Sequence, residues 1–300
     1  MADLDLLLKK TSRTFALAIP RLPEPTRREV TVAYLLFRIA DTFEDAASWP
    51  RGKRIEALRV FCELLATPAP EETQRWAAAW TAAVPIEHEG YQELLSETPA
   101  VLDAYFGLGA SAGELVRGHT VRTAEGMAGF VERTDDDGEL RLADVADLRA
   151  YCYVVAGIVG EMLTELYLLR RDQLEPIAED LRARAGLFGE GLQLVNILRD
   201  SSFDAAEGRS YLPADARRDE LFALARRDLR SAGEYVLALQ RAGAERGLVA
   251  FNALPVLLAF ATLDRVEAEG PGAKLSRPEL YRIVRRMERA LDRDLPVVEP

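Results

Sequence analysis

Cysteine and histidine are scarce in this chain. Two cysteines, Cys62 and Cys152, and two histidines, His88 and His119, are scattered over 300 residues. Neither pair has the spacing of a soft-metal site, and two cysteines form no disulfide framework in a chain this long. Both cysteines sit in apolar helical context, where a buried free thiol is the ordinary reading, and a reducing cytosol suits them. No Gly-x-Gly-x-x-Gly, Gly-x-Ser-x-Gly or Ser/His/Asp grouping occurs, which argues against a Rossmann dinucleotide fold and a serine hydrolase. Basic residues are outnumbered. The formal net charge of −11 lacks the basic footprint of a nucleic-acid binder. Uninterrupted apolar runs fall short of the ~18–20 residues that span a bilayer. The longest, Ala253–Leu263, contains Pro255 and Thr262. No signal peptide is visible at the start and no membrane anchor at the end, so a soluble or peripheral cytoplasmic protein is expected. Alternating β-branched runs are missing as well, so the chain is expected to be all-α, a single helical domain over 1–300.

Apolar residues make up 49% of the sequence, enough for a large core. Two acidic clusters stand out in apolar helical stretches. They are Asp41-Thr-Phe-Glu-Asp45 and Asp200-Ser-Ser-Phe-Asp204. Each sets two aspartates at i and i+4, on one face of a helix and about 6 Å apart along its axis. At that distance two carboxylates repel by about 3 kcal/mol at an effective dielectric of ~20. A chain that does this twice calls for a cation, and Mg²⁺ favours a few carboxylates plus substrate phosphates. The pattern therefore points to an enzyme that grips a diphosphate through magnesium.

The neighbours extend each cluster into a stripe. Tyr34, Arg38, Asp41 and Asp45 fall within about 60° of one another at ~100° per residue. Gln193, Asn196, Asp200 and Asp204 form the second stripe, on a helix otherwise made of Leu192, Leu194, Val195, Ile197 and Leu198. A narrow polar seam on an oily helix suits an internal cavity better than a solvated face. Geometry turns Arg199 away from the Asp200 stripe. A helix expected from Asp147 to about Leu169 puts Tyr151, Val155, Ile158 and Met162 on one face. Its Ala156, Gly157 and Gly160 leave room for a neighbouring helix. By spacing alone Tyr151 is equally a core tyrosine with a satisfied hydroxyl. Ser276-Arg-Pro-Glu279 reads as a capping box. The arginine-rich segment that follows, Arg277–Arg293, is interleaved with Glu279, Glu288 and Asp292 and reads as a solvated face.

Five segments in order resemble the squalene and phytoene synthases, most of all a bacterial squalene synthase. They are Ser12-Arg-Thr-Phe15, Tyr34-Leu-Leu-Phe-Arg38-Ile-Ala-Asp41-Thr-Phe-Glu-Asp45, Tyr151-Cys-Tyr-Val-Val-Ala-Gly157, Gln193-Leu-Val-Asn196-Ile-Leu-Arg-Asp200 and Gly208-Arg-Ser-Tyr-Leu-Pro213. The late Phe251-Asn-Ala-Leu-Pro255 is similar to the squalene branch, whereas Tyr151-Cys-Tyr153 looks more like dehydrosqualene synthases. Phe203 stands where the family often carries Glu.

The resemblance implies an isoprenoid synthase bundle around a deep central cavity. It further implies head-to-head condensation of two farnesyl diphosphates to presqualene diphosphate, with NADPH-dependent reduction to squalene. Dehydrosqualene, phytoene or presqualene diphosphate are the alternative products, and a non-catalytic scaffold is the alternative of another class. Asp41, Asp45, Asn196, Asp200 and Asp204 would hold Mg²⁺. Ser12, Arg13, Tyr34, Arg38, Gln193, Asn196, Arg199 and Arg209 would bind substrate. Tyr151 would move a proton, and Lys274 and Arg277 would meet NADPH, though that short segment equally fits a solvated loop. No nucleic acid or obligate protein partner is expected; peripheral contact with the inner face of a membrane would serve product release.

Overall fold

The computed structural model describes residues 3–12, 14–46, 48–83, 86–135, 139–206 and 209–298, with side chains at all of these except 202–206, 209 and 210. It divides into two compact units, Met1–Pro20 with Glu24–Gly138, and Arg21–Pro23 with Glu139–Pro300. The all-α expectation holds. Among the described residues the only strands are two-residue pieces, β1 (Leu140–Arg141) and β2 (Arg209–Ser210), paired in parallel.

The first unit contains α1 (Leu4–Thr11), α2 (Phe15–Ala18), α3 (Thr26–Glu44), α4 (Arg51–Leu64), α5 (Pro70–Ala82), α6 (Glu89–Ser96), α7 (Thr98–Phe106) and α8 (Ala110–Glu132). Helix α3 is its centre and packs on α1, α4, α6, α7 and α8. Val32, Ala33, Leu35, Leu36, Ile39 and Phe43 are fully shielded from solvent because α3 is apolar on nearly every side. The Phe43 ring lies 4.6 Å from Trp80 and 6.2 Å from Phe61, an aromatic knot under the helix's last turn. That knot fixes the end of α3, where the first acidic cluster sits.

The second unit contains α9 (Val145–Cys152), α10 (Ile158–Leu168), α11 (Ala178–Ala206), α12 (Arg218–Arg241), α13 (Arg246–Glu269) and α14 (Arg277–Asp292). The 29-residue α11 is its axis and packs on α9, α10, α12 and α13. The single helix expected over Asp147–Leu169 is interrupted by a π-helical turn over Tyr153–Gly157. Such a turn takes in an extra residue and shifts the phase of everything beyond it by about 100°. The small residues there do admit a neighbour. A Cβ added at Gly160 would lie 2.0 Å from the Ala185 carbonyl oxygen, and one at Gly189 would lie 2.0 Å from that of Ala156.

Two stretches, Val145–Leu168 and Arg246–Glu269, are long and apolar enough to cross a membrane by length and composition. The sequence reading, which sought uninterrupted apolar runs, expected none. The Arg246–Glu269 window is 67% buried inside the protein. Its oily sides are spent on α11, α12 and α14, so helix–helix packing accounts for the composition.

Gly160→Ala is expected to lower stability by about 1–3 kcal/mol, because α10 must move off α11. Gly129→Ala, on an open face of α8 with nothing within 4 Å, is expected to raise stability by about 0.4–1 kcal/mol. Urea denaturation midpoints of the two variants check the contrast.

Candidate functional site

Helix α3 delivers the first acidic cluster at its C-terminal end. Asp41 is in the last turn, Glu44 closes the helix, and Asp45 is the capping residue, its N–H donating to the Asp41 carbonyl at 2.8 Å. One carboxylate oxygen from each of Asp41, Glu44 and Asp45 lies within 4.8 Å of the others. The expected pairing of Asp41 with Asp45 on one face is therefore present. Glu44, only 4% exposed, is a third member that the i, i+4 argument passed over. The end of a helix carries partial negative charge from unpaired carbonyls. Three carboxylates there add to that field. Arg54 of α4 answers part of it by donating to the Glu44 carbonyl.

Arg38 answers another part. Its guanidinium is ion-paired with Asp41 one turn on. It also lies 5.7 Å from the Tyr34 ring centroid and 5.4 Å from that of Tyr91. Burial opposes the Arg38 charge; Asp41, Tyr34 and Tyr91 outweigh it and hold the group above its ordinary value. Two aromatic faces thus brace a cation that already grips a carboxylate, each face being worth about 0.5–2 kcal/mol. Tyr34 is itself tethered, its hydroxyl donating to the Thr11 carbonyl at 2.8 Å. Tyr91, on α6, went unnoticed in the sequence because it lies 53 positions from Arg38 and belongs to no motif. The ring of His88, isolated in sequence, stacks on Tyr91 at 4.2 Å. Ser12 has a local role: its hydroxyl accepts the Phe15 N–H at 2.9 Å and so starts α2. Arg13 lies outside the described residues.

In the second unit, α11 carries Gln193, Asn196 and Asp200 as a stripe that is half-buried or exposed, while Leu194, Val195, Ile197 and Leu198 are buried. The Asn196 amide donates to Gln193 at 3.5 Å. Arg199 does not turn away from Asp200. Its Nε donates to one Asp200 oxygen at 2.8 Å and its Nη2 to the other. A long guanidinium reaches round the helix to a neighbouring carboxylate, which Cβ directions alone do not reveal. Asp204 is in the last turn of α11, so this stripe too runs toward a helix C-terminus. The side chains of Phe203, Asp204 and Arg209 lie outside the described residues, as does Gly208.

Tyr151, on α9 just before the π turn, is buried at 3% exposure. Its hydroxyl donates to the Tyr211 hydroxyl at 3.1 Å, and the two rings stack with centroids 4.8 Å apart. This is the geometry of a core tyrosine whose hydroxyl is paired with a second phenol. Tyr211 belongs to the Gly208-Arg-Ser-Tyr-Leu-Pro213 segment, and nothing in its local sequence marks it as the partner of Tyr151. Behind them the core is acidic. Glu190 takes two N–H donors from Arg149, at 3.0 and 3.2 Å, and Asp228, 1% exposed, takes one from Arg227 at 3.2 Å. Burial raises both carboxyls above their ordinary range, against the pull of those arginines. Burial, then Glu190 and Asp228, push the Cys152 thiol well up, so it is inert as a nucleophile.

Lys274 and Arg277 are exposed. They flank the start of α14, after a turn in which the Gly272 N–H donates to the Arg199 carbonyl at 2.6 Å. That bond ties the turn to the acidic end of α11. The Ser276–Glu279 capping box is formed as expected.

Comparison with known proteins gives a consistent result. Residues 8–220 match the family described as Squalene/phytoene synthase. Squalene synthase from Candida albicans is 31% identical over 210 residues, covering 70% of this chain and 44% of that protein. Squalene synthase from Saccharomyces cerevisiae is 32% identical over 212 residues, again covering 70% and 44%. The chain spans less than half the length of these two relatives. A solved complex of TcSQS with the ligand E5700 has a TM-score of 0.77 at 27% identity, covering 94% of this chain and 84% of that one. Squalene synthase HpnC from Alicyclobacillus acidocaldarius, at 19% identity and a TM-score of 0.52, shares the fold.

The buried carboxyls behind Tyr151 give a pH test. A raised folded-state value means that the native protein holds the proton to higher pH than the unfolded chain does. Their contribution to stability is present at low pH and lost as pH rises through the raised values. Asp228→Asn is therefore expected to gain stability relative to the parent as pH rises from the ordinary carboxylate range toward neutrality. Denaturation midpoints across that range check the sign; a variant that loses ground as pH rises contradicts it.

Proposed function

Because the chain belongs to the squalene/phytoene synthase family, we propose that it is a prenyltransferase that condenses two farnesyl diphosphates head to head. The observation that carries this reading is the Asp41, Glu44 and Asp45 cluster with Arg38 beside it. A carboxylate-only donor set of hard oxygens fits Mg²⁺. Asp41 and Asp45, with Glu44 added, would hold the metal in the first unit; Asp200, Asp204 and Asn196 would do so in the second. Bound there, Mg²⁺ would supply charge stabilisation to a departing diphosphate. The two units would act as one synthase domain over 1–300.

Arg38 and Arg199 would present N–H groups to phosphate oxygens, as would Arg13 and Arg209. Arg38 is held ready for this by Asp41, Tyr34 and Tyr91, so little orientation is lost when substrate arrives. Ser12, Tyr34 and Gln193 would complete the polar lining. In the reaction the C–O bond to the first diphosphate breaks. The allylic carbon then bonds to the double bond of the second substrate, and a cyclopropane closes with loss of one proton. Tyr151 would pass that proton on toward the departing diphosphate. An isolated phenol is too weak a base near neutrality, and the paired Tyr211 hydroxyl gives the proton a second oxygen to share. Apolar walls matter because water quenches carbocations.

The reductive half is the finer proposal. NADPH would supply the hydride that turns presqualene diphosphate into squalene, with Lys274 and Arg277 meeting its phosphates from the turn before α14. Retention of both aspartate pairs and of Tyr151 favours catalysis over a scaffold role.

Incubation with Mg²⁺ and farnesyl diphosphate, with and without NADPH, followed by mass spectrometry, tests both halves. Squalene is expected only with NADPH, and presqualene diphosphate without it. Dehydrosqualene in both arms would overturn the reductive assignment alone. Asp41→Asn and Asp200→Asn are each expected to lower turnover by at least about 10²-fold with unchanged helical circular dichroism; retained activity in either would sink the metal roles.

A further inference from the structure

Two claims fall on one carboxylate of the first unit. Asp41 belongs to the cluster whose oxygens lie within 4.8 Å of one another, the donor set proposed for magnesium. The same side chain is ion-paired with Arg38. An oxygen that accepts from a guanidinium has less to offer a cation, and a divalent ion placed beside that guanidinium meets like charge. Arginine and metal therefore compete for Asp41.

Arg38 has a second hold that does not involve Asp41. Its guanidinium carbon lies 5.7 Å from the Tyr34 ring centroid and 5.4 Å from that of Tyr91. Its Nε is shielded from water and has no hydrogen-bond partner among the described residues. A buried N–H of a cation left unpaired is costly, and a phosphate oxygen is an acceptor that guanidinium geometry suits. Both rings are anchored to the C-terminal end of α1. The Tyr34 hydroxyl donates to the Thr11 carbonyl at 2.8 Å. The turn of α6 that carries Tyr91 sits so close that a Cβ at Gly90 would lie 2.6 Å from the Lys10 carbonyl oxygen. Lys10 and Glu93 pair at 2.5 Å across the same joint, and the His88 ring stacks on Tyr91. Burial lifts the Tyr91 hydroxyl above its ordinary value; Arg38 pulls it down, while Asp41, Tyr34 and Asp45 push it up. The ring thus meets Arg38 as a neutral face and not as a phenolate.

We infer that Arg38 exchanges partners when substrate binds: Asp41 releases it on turning to the metal, and the slot between Tyr34 and Tyr91 delivers it to a diphosphate oxygen. Tyr91 is then a positioning residue that acts through Arg38. The exchange makes metal and diphosphate favour each other at this cluster. The cation frees the arginine, and the arginine gains a new anion without losing the two ring faces that orient it. This inference rests on the prenyltransferase reading and deepens it.

The test is calorimetric binding of inorganic pyrophosphate to the full chain, once in magnesium and once in EDTA. The parent is expected to bind in magnesium and much more weakly in EDTA. Asp41→Asn removes the carboxylate that holds Arg38, so in EDTA it is expected to bind on the order of 10-fold more tightly than the parent. Asp45→Asn removes the same charge but leaves Arg38 paired, and its gain is expected to be several-fold smaller. In the Asp41→Asn background, Tyr91→Leu is expected to weaken binding by about 5-fold, the size of one cation–π contact. Tyr91→Phe keeps an aromatic face and is expected to retain the gain. Equal gains in Asp41→Asn and Asp45→Asn, no gain in either, or equal binding by the Leu and Phe variants would overturn the exchange and leave the synthase reading standing. Absence of pyrophosphate binding by the parent in magnesium would remove the diphosphate site itself, and the exchange with it.

Discussion

Carboxylates placed where a helix is already negative set the terms for this protein. Asp41, Glu44 and Asp45 gather at the C-terminal end of α3, and Asp200 and Asp204 lie toward that of α11. Helix carbonyls and like charges both work against such an arrangement. It persists because each cluster has a guanidinium in hand, Arg38 on Asp41 and Arg199 on Asp200. Each guanidinium meets one carboxylate of its cluster directly. The proposed binding of magnesium and diphosphate rests on this placement of acids.

The scaffold serves that tension by being stiff where the acids are. In the first unit the aromatic knot of Phe43, Trp80 and Phe61 sits directly beneath the α3 end. In the second, α11 meets α10 at Gly160 and the π turn at Gly189, backbone to backbone. The π turn at Tyr153–Gly157 lets α9 and α10 follow one path while facing different ways. Tyr151 precedes the change of phase and is buried against Tyr211; Met162 follows it and is buried too.

Periodicity made the helices, the acidic stripe of α3 and the small-residue contact of α10 legible. These features are local, and a repeat of 3.6 residues displays them directly. The π turn was not legible, because one inserted residue leaves no mark on composition. Glu44 was missed because it stands one residue off the i, i+4 register yet curls to the same point. Tyr91 and Tyr211 meet Arg38 and Tyr151 across the fold, and a single sequence does not announce such pairs. Arg199 was misjudged because long side chains bend back along their own helix.

The pairing of Tyr151 with Tyr211 spans 60 positions of chain. All of α10 and α11 lie between the two phenols in the chain, and β2, just ahead of Tyr211, is held by α11 as well as by β1. A contact of such separation carries the entropy cost of closing a long loop, which grows only slowly with its length. The hydroxyl pair therefore joins a residue ahead of α10 and α11 to one beyond them, and it clasps the two ends of that long stretch of chain together.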